Sequence, residues 1–376
     1  MPIPGYDFLI DALALISIYL FLTISLNIEY GFAGIPNFGK LLFMSAGGFA
    51  AASLGPLLFQ WALQVAITSE VLDKYRAIYG SQVDVVVYNR LLVQQINLRL
   101  QSAPMEGFMV FLLTLVIAMI VGGMLGFLCS YPAIRLRSDY LAISLLAFGE
   151  ISRVIANNYM PYSYGVMIPD PFIWAGNMRF IVMTIVIFFF AVLLLCYAHM
   201  LERSPLGRVL RAMRDNELVA DSLGRNITRL KQKVLIASSA ISALGGALFG
   251  FYTSAVVAGT YERTSWTYWP YVMVILGGAG NNLGVVLGSV VFVVVRRLIN
   301  FYKGAAGSLL PFNPVWLDYM LLGIVLLLML IYRPSGLMPE RLSPTMRRHE
   351  IEAIAKGKGE AKAHGPDAEV EPLKAT

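Results

Sequence analysis

The chain has 376 residues, 57% apolar and only 14% charged, with a formal charge of +6, 2 Cys and 3 His; its mean hydropathy is +0.67. A soluble domain carries about 25% charged residues, whereas here the charges cluster and leave uncharged runs at 41–68, 107–134, 180–201, 234–261 and 264–295. Each run exceeds the roughly 20 residues a helix needs to cross a bilayer, and the ~10-residue alternation of a β-barrel is missing, so soluble and barrel classes are excluded.

The expected fold class is an all-α polytopic membrane protein of roughly 8–10 transmembrane helices. The spans read in order as 8–28, 38–62, 108–130, 140–157, 180–201, 234–258, 264–281, 283–302 and 315–332. The first run lacks a basic n-region and a small-residue cleavage site, so it is expected to stay as a span. Cys129 and Cys196 lie inside apolar runs and read as buried small apolar residues. His199, His349 and His364 have no metal-ligand spacing, and no metal is expected.

Loop charge sets the orientation. Segment 69–106 balances four basic against four acidic residues and fits the outside as an insertion, with an amphipathic helix over 85–100. Arg135 and Arg137 mark the inside, Asp170 the outside, and the loop 202–233, with eight basic and four acidic residues, the inside. The polar tail from Arg333 carries eight basic residues and also fits the inside. These basic residues sit at membrane edges, so no nucleic-acid partner is expected. The domain reading is a transmembrane unit over 1–334 and a cytoplasmic, flexible tail over 335–376. One stretch conflicts with the charge rule. Splitting 264–302 at its glycine-rich centre leaves Arg296, Arg297 and Lys303 outside, and a re-entrant segment is the alternative.

Several motifs look like sites. Gly34 to Lys40 spells GxxxxGK, but Leu41 follows where a P-loop has Ser/Thr, and no strand precedes it. Gly278, Gly280 and Gly284 match a dinucleotide fingerprint even less well. Glycines gather instead in clusters, Gly31, Gly34, Gly39, Gly47 and Gly48; Gly245, Gly246 and Gly250; Gly277, Gly278, Gly280, Gly284 and Gly288. Close helix packing is one reading. A broken helix lining a polar path is the other, favoured by Asn37, Asn281 and Asn282. Glu150 and Arg153 share a helix face at i, i+3, followed by Asn157; they read as an internal ion pair or as part of a translocation path.

In the basic loop, Ser204-Pro205 starts a helix on which Leu206, Val209, Leu210 and Met213 form an apolar face and Arg208, Arg211 and Arg214 the others. Glu217 opens a second short helix with Leu218, Val219 and Leu223 apolar, Asp221 polar and Gly224 as its C-cap. Such a pair can lie on lipid or enter a groove on a cytoplasmic partner.

Four stretches together resemble a known family: Gly31-Phe-Ala-Gly34 with Gly39; Arg135-Leu-Arg-Ser-Asp-Tyr140 with Phe148-Gly-Glu150; Ser204-Pro-Leu-Gly207-Arg208 through Ala220 and Gly224; and Gly277-Gly-Ala-Gly280 through Gly284 and Gly288. The chain is similar over about 10–340 to LivM-type permease subunits of ATP-binding-cassette importers for branched-chain amino acids. The resemblance implies a permease of the larger, type II-like class and no catalytic residue. It implies ATP and Mg on two cytoplasmic ATP-binding subunits, a second permease subunit and an external substrate-binding protein. It also implies an ATPase-coupling role for Arg208, Arg211, Arg214, Glu217, Ala220, Asp221 and Gly224. Leu218 and Val219 depart from the family's coupling-loop pattern. Urea, short amides or a sugar are alternative cargoes, and a stand-alone secondary transporter or channel is the reading from another class.

Overall fold

The computed structural model describes residues 5–65, 85–136, 138–222, 224, 226–306, 317–333 and 335–340. The expected insertion residues 69–84 and the tail beyond 340 fall outside them. The chain divides into a unit Met1–Pro339 and a unit Glu340–Thr376, and the first carries everything that follows.

Long apolar helices dominate, joined by short irregular pieces. Helix α1 (Tyr6–Leu26) runs into a π-helical turn, Asn27–Phe32, and an irregular link to α2 (Lys40–Leu63). Next come α3 (Val85–Leu100), α4 (Pro104–Arg135), α5 (Ser138–Asn158), the short α6 (Met160–Tyr164) and strand β1 (Val166–Met167). A 3-10 turn, Ile173–Met178, leads to α7 (Arg179–Arg203), then α8 (Pro205–Asp215), α9 (Glu217–Ser222) and α10 (Ile227–Thr253). Strand β2 (Ala255–Val256) pairs antiparallel with β1, Val166 opposite Val256. A π turn, Thr264–Tyr268, then precedes α11 (Trp269–Gly277), α12 (Asn282–Ala306) and α13 (Leu317–Tyr332).

Seven of the described helical segments are long and apolar enough to cross a membrane. They coincide with the spans expected from 8–28 through 234–258 and with 283–302. The expected span 264–281 is shorter: its helical part covers 264–277, about 21 Å at 1.5 Å per residue. The chain reaches it through the irregular stretch that starts at β2, so this crossing is a broken one. Helix α13 falls in the expected span 315–332.

Contacts sort the helix ends into two groups. Asp11 near the start of α1 accepts a hydrogen bond from Tyr252 at the end of α10, 2.7 Å. The far end of α1 meets α8 and the 278–281 turn, described below. One end of the bundle, the ribbon end, therefore carries the β pair and α3; the other, the basic end, carries α8 and α9. Helix α3 is fastened to the ribbon end by asparagines. Asn89 Oδ1 accepts from Met167 N at 2.8 Å and Asn97 Oδ1 from Asp170 N at 2.9 Å.

The core is the packing of α10 against α4, α2 and α1. Small residues make this close approach possible: a Cβ on Gly47 would run into the Ala243 carbonyl, and one on Gly246 into the Met44 carbonyl. Cys129 is buried as expected. Cys196 is not, because it sits on the outward face of α7, where a small apolar side chain suits lipid as well as protein.

Two of the residues in the charge-rule conflict, Arg296 and Arg297, have partners within the chain. The Arg296 guanidinium lies 3.4 Å from the Trp269 ring centroid, and Arg297 forms an ion pair with Asp11. Both half-buried charges have partners within the chain, which weakens them as topological signals at the ribbon end.

Candidate functional site

At the basic end the two short helices form as the sequence dictates. Ser204 caps α8, its Oγ accepting from Gly207 N at 3.1 Å, with Pro205 in the first turn. Asn216 breaks the helix in extended backbone and caps the next, its Oδ1 accepting from Val219 N at 3.1 Å. Gly224 closes α9 with φ +78, and its N–H donates to Asp221 O at 2.9 Å. Asn226 then caps α10 through Arg229 N, 2.9 Å. Lys231 holds Glu217 at 2.6 Å, tying α9 to the first turns of α10.

The apolar side chains divide in two directions. Leu210, Met213 and Ala220 are buried. Leu218, 80% exposed, and Val219 point away from the chain. Leu223, expected on the same face, lies outside the described residues. Asp221 is exposed beside Leu218 and Val219. Of the arginines expected to meet a partner, two turn inward. Arg214 donates to the Gly31 carbonyl in the π turn of α1, and the Arg211 guanidinium lies 5.3 Å from the Phe32 ring centroid and 3.6 Å from Glu202. Arg208 stays exposed. Gly34, with φ +69, lies where a side chain would collide with Arg214.

The π turn is also the point where the first and third glycine clusters meet. Asn27 Oδ1 accepts from Gly280 N at 2.8 Å, and Asn27 Nδ2 donates to Asn282 Oδ1 at 2.9 Å. Asn282 Nδ2 in turn donates to Glu202 Oε2 at 2.9 Å. A Cβ on Gly31 would stand 2.6 Å from Gly280 N. Asn281 does a separate job: its Oδ1 accepts from Leu283 N at 3.1 Å, starting α12. Gly278 (φ +108) and Gly280 (φ +85) turn the chain between α11 and α12, in backbone that a residue with a Cβ rarely adopts. A Cβ on Gly284 would stand 2.5 Å from the Gly277 carbonyl.

One turn and two turns beyond Val234, where the apolar part of α10 begins, Ser238 and Ser242 face a buried ion pair that sequence reading missed. Lys40 Nζ stands 2.7 Å from Glu29 Oε2, and both side chains are fully buried. Asn37 Nδ2 donates to Glu29 Oε1 at 3.0 Å, and Ser238 Oγ donates to the same oxygen. Lys40 also donates to Ser25 Oγ at 3.0 Å and Ser242 Oγ at 3.4 Å. Asn37 Oδ1 accepts from Gly39 N at 2.9 Å, shaping the start of α2, and a Cβ on Gly39 would stand 2.8 Å from the Leu145 carbonyl. The lysine of the apparent P-loop is thus a structural cation.

Glu150 and Arg153 are in contact as expected, Arg153 Nε donating to Glu150 Oε1 at 2.8 Å. Arg263 joins them, donating to Glu150 Oε2 at 2.6 Å. Asn157 Nδ2 bonds back to the Arg153 carbonyl at 3.0 Å on its own helix. Glu29 and Lys40 bond to Asn37, Ser25, Ser238 and Ser242, whereas Glu150 bonds to Arg153 and Arg263, so among the described residues these are distinct sites.

The family model described as "Branched-chain amino acid transport system / permease component" matches residues 8–330. The chain belongs to this permease family. The permease is 36% identical over 348 residues to a probable branched-chain amino acid transport permease protein LivM of Methanocaldococcus jannaschii, covering 90% of this chain and 96% of that one. It is 28% identical to the high-affinity LivM permease protein of Escherichia coli, covering 88% and 70%, and 31% identical to that of Salmonella typhimurium, covering 59% and 56%. No solved structure matches it. The permease is a multi-pass membrane protein and one component of a transport system.

Proposed function

We propose that this permease sits in the cell membrane and passes branched-chain or similarly hydrophobic amino acids inward. An external binding protein delivers the cargo, and a second permease and two ATP-binding subunits complete the importer. The basic end is cytoplasmic in this reading. The supporting observation is the two-sided character of α8 and α9. Leu218 and Val219 are free to enter a groove on an ATP-binding subunit, while Arg211 and Arg214 grip the π turn of α1. A push on α9 is then felt at the break in α1 and, through Asn27 and Asn282, at the α11–α12 turn. The outward-open and inward-open states of the importer need differ by only a few kcal/mol for ATP and cargo to bias them. ATP and Mg bind the partner subunits, and this chain contributes no catalytic residue. At the other end, α3 and the ribbon loop supply a surface for the binding protein. A stand-alone transporter gains no support from the Glu29–Lys40 pair, since its side chains are fully buried and satisfied within one subunit.

The test is uncoupling. Gly224→Pro asks a residue fixed near φ −65° to replace one at +78, and Glu217→Lys sets a like charge against Lys231. Both variants are expected to hydrolyse ATP without transport in proteoliposomes while remaining in the membrane. Wild-type uptake by both would sink the proposal.

A further inference from the structure

Helix α5 segregates its polar groups. One face, with Phe148, Ile151 and Ile155, lines an apolar cavity of about 500 Å³ against α2 and α4. The other carries Glu150, Arg153 and Asn157 within a membrane-crossing segment. Glu150 and Arg153 are 26% and 39% exposed, and Arg263, from the loop before α11, is 35% exposed. Ions so open at this depth are costly against hydrocarbon, so this face looks onto protein or a water-filled path.

The local charges are also incompletely matched. Glu150 uses one oxygen for Arg153 and the other for Arg263. The two guanidiniums therefore share the Glu150 carboxylate as their ion-pair partner, Arg263 also bonds to Tyr268, and Arg263 Nε is buried with no hydrogen-bond partner among the described residues. Next to Arg263, the exposed Glu262 has no side-chain hydrogen bond among the described residues, yet it is close enough to Arg153 for their charges to interact. A guanidinium with one open N–H and an exposed carboxylate are thus neighbours in the chain. They also flank the start of the 264–277 half-helix, whose backbone dipole favours an anion there.

We infer that Arg153, Arg263 and Glu262 form the contact for the zwitterionic head of the transported α-amino acid. The guanidiniums take its carboxylate, Glu262 takes its ammonium, and Glu150 holds the two arginines in place. This rests on the transport reading proposed above. A planar fork with several donors suits a carboxylate, and a neutral cargo such as urea would use neither charge.

The experiment uses the complete complex in proteoliposomes, with leucine uptake driven by saturating loaded binding protein. Glu262→Gln, whose parent side chain makes no hydrogen bond among the described residues, is expected to lower uptake at least tenfold. Arg263→Gln should do the same, with partial rescue in Arg263→Lys. Affinity of the loaded binding protein for the complex should stay at the wild-type value in Glu262→Gln. Uptake within twofold of wild type in both Gln variants overturns the inference alone. Loss of binding-protein affinity together with uptake assigns the face to docking and overturns it as well. Wild-type vesicles that accumulate no amino acid overturn the transport reading, and this inference falls with it.

Discussion

Glu29 and Lys40 are eleven positions apart, on opposite sides of an irregular link, and meet with no exposure to solvent. Taking two ions out of water is costly unless they pair and their remaining bonds are met. Here Asn37, Ser238, Ser25 and Ser242 meet them. Leaving one ion alone costs about 3–5 kcal/mol, whereas replacing both can be nearly neutral. Lys40→Met alone is therefore expected to lower the melting temperature of the detergent-purified protein sharply, and Glu29→Gln with Lys40→Met to restore most of it. Equal loss in the single and double variants would mean the pair itself is not what matters. Little of this was legible beforehand. Lys40 registers in the sequence as the end of a false P-loop and Glu29 as an unremarked residue closing an apolar run. A buried pair is a fact about three elements, and the serines of α10 that complete it lie some two hundred residues away. Asn37 was legible as a polar residue needing partners, though not which partner it has. Glu150 and Arg153 were legible because helical spacing alone brings them together; Arg263 was not, since it arrives from another loop.

Among elements, the continuous helices follow directly from uncharged runs, α3 from its amphipathic pattern, and α8 and α9 from their capping residues. The breaks are harder to read. The π turn at Asn27–Phe32 has no sequence mark beyond its glycine, and the half-length 264–277 helix looks like a full span until its partner is seen. What fixes both breaks is mutual: Asn27 satisfies the Gly280 N–H that the turn leaves open. The glycines of the two clusters serve this contact, so the packing reading and the broken-helix reading describe the same place. Two outcomes follow. Gly277→Ala drives a Cβ into the Gly284 carbonyl, which is backbone and cannot step aside. It is expected to cost more than about 1 kcal/mol, the lower range for overpacking, read as earlier thermal unfolding; unchanged stability would show that α11 and α12 can separate freely. Arg214→Ala removes the bond from α8 to Gly31 without touching Leu218 or Val219. Binding of the ATP-binding subunit should persist while transport per ATP falls severalfold. Loss of the subunit instead would make Arg214 part of the docking surface.

For the whole molecule, the helix ends sort into two sets without reference to a membrane, and the charge rule then assigns the sides. The basic end holds Arg203, Arg208, Arg229 and Lys233 close to the apolar spans, with Lys231 paired to Glu217. At the opposite end, Arg296 and Arg297 are occupied by Trp269 and Asp11, so the count of unengaged cations favours the basic end as cytoplasmic. Accessibility to a membrane-impermeant maleimide separates this from the inverted orientation. In a chain with Cys129→Ser and Cys196→Ser, Leu218→Cys tests the exposed tip of α9 and Tyr88→Cys the exposed face of α3. Tyr88→Cys should label in intact cells. Leu218→Cys should label only after the cells are opened, and less when the ATP-binding subunit is bound, because the same side chain would then be covered. Labelling of Leu218→Cys in intact cells would reverse the orientation and take α8 and α9 away from any ATP-driven partner, since ATP is on the other side.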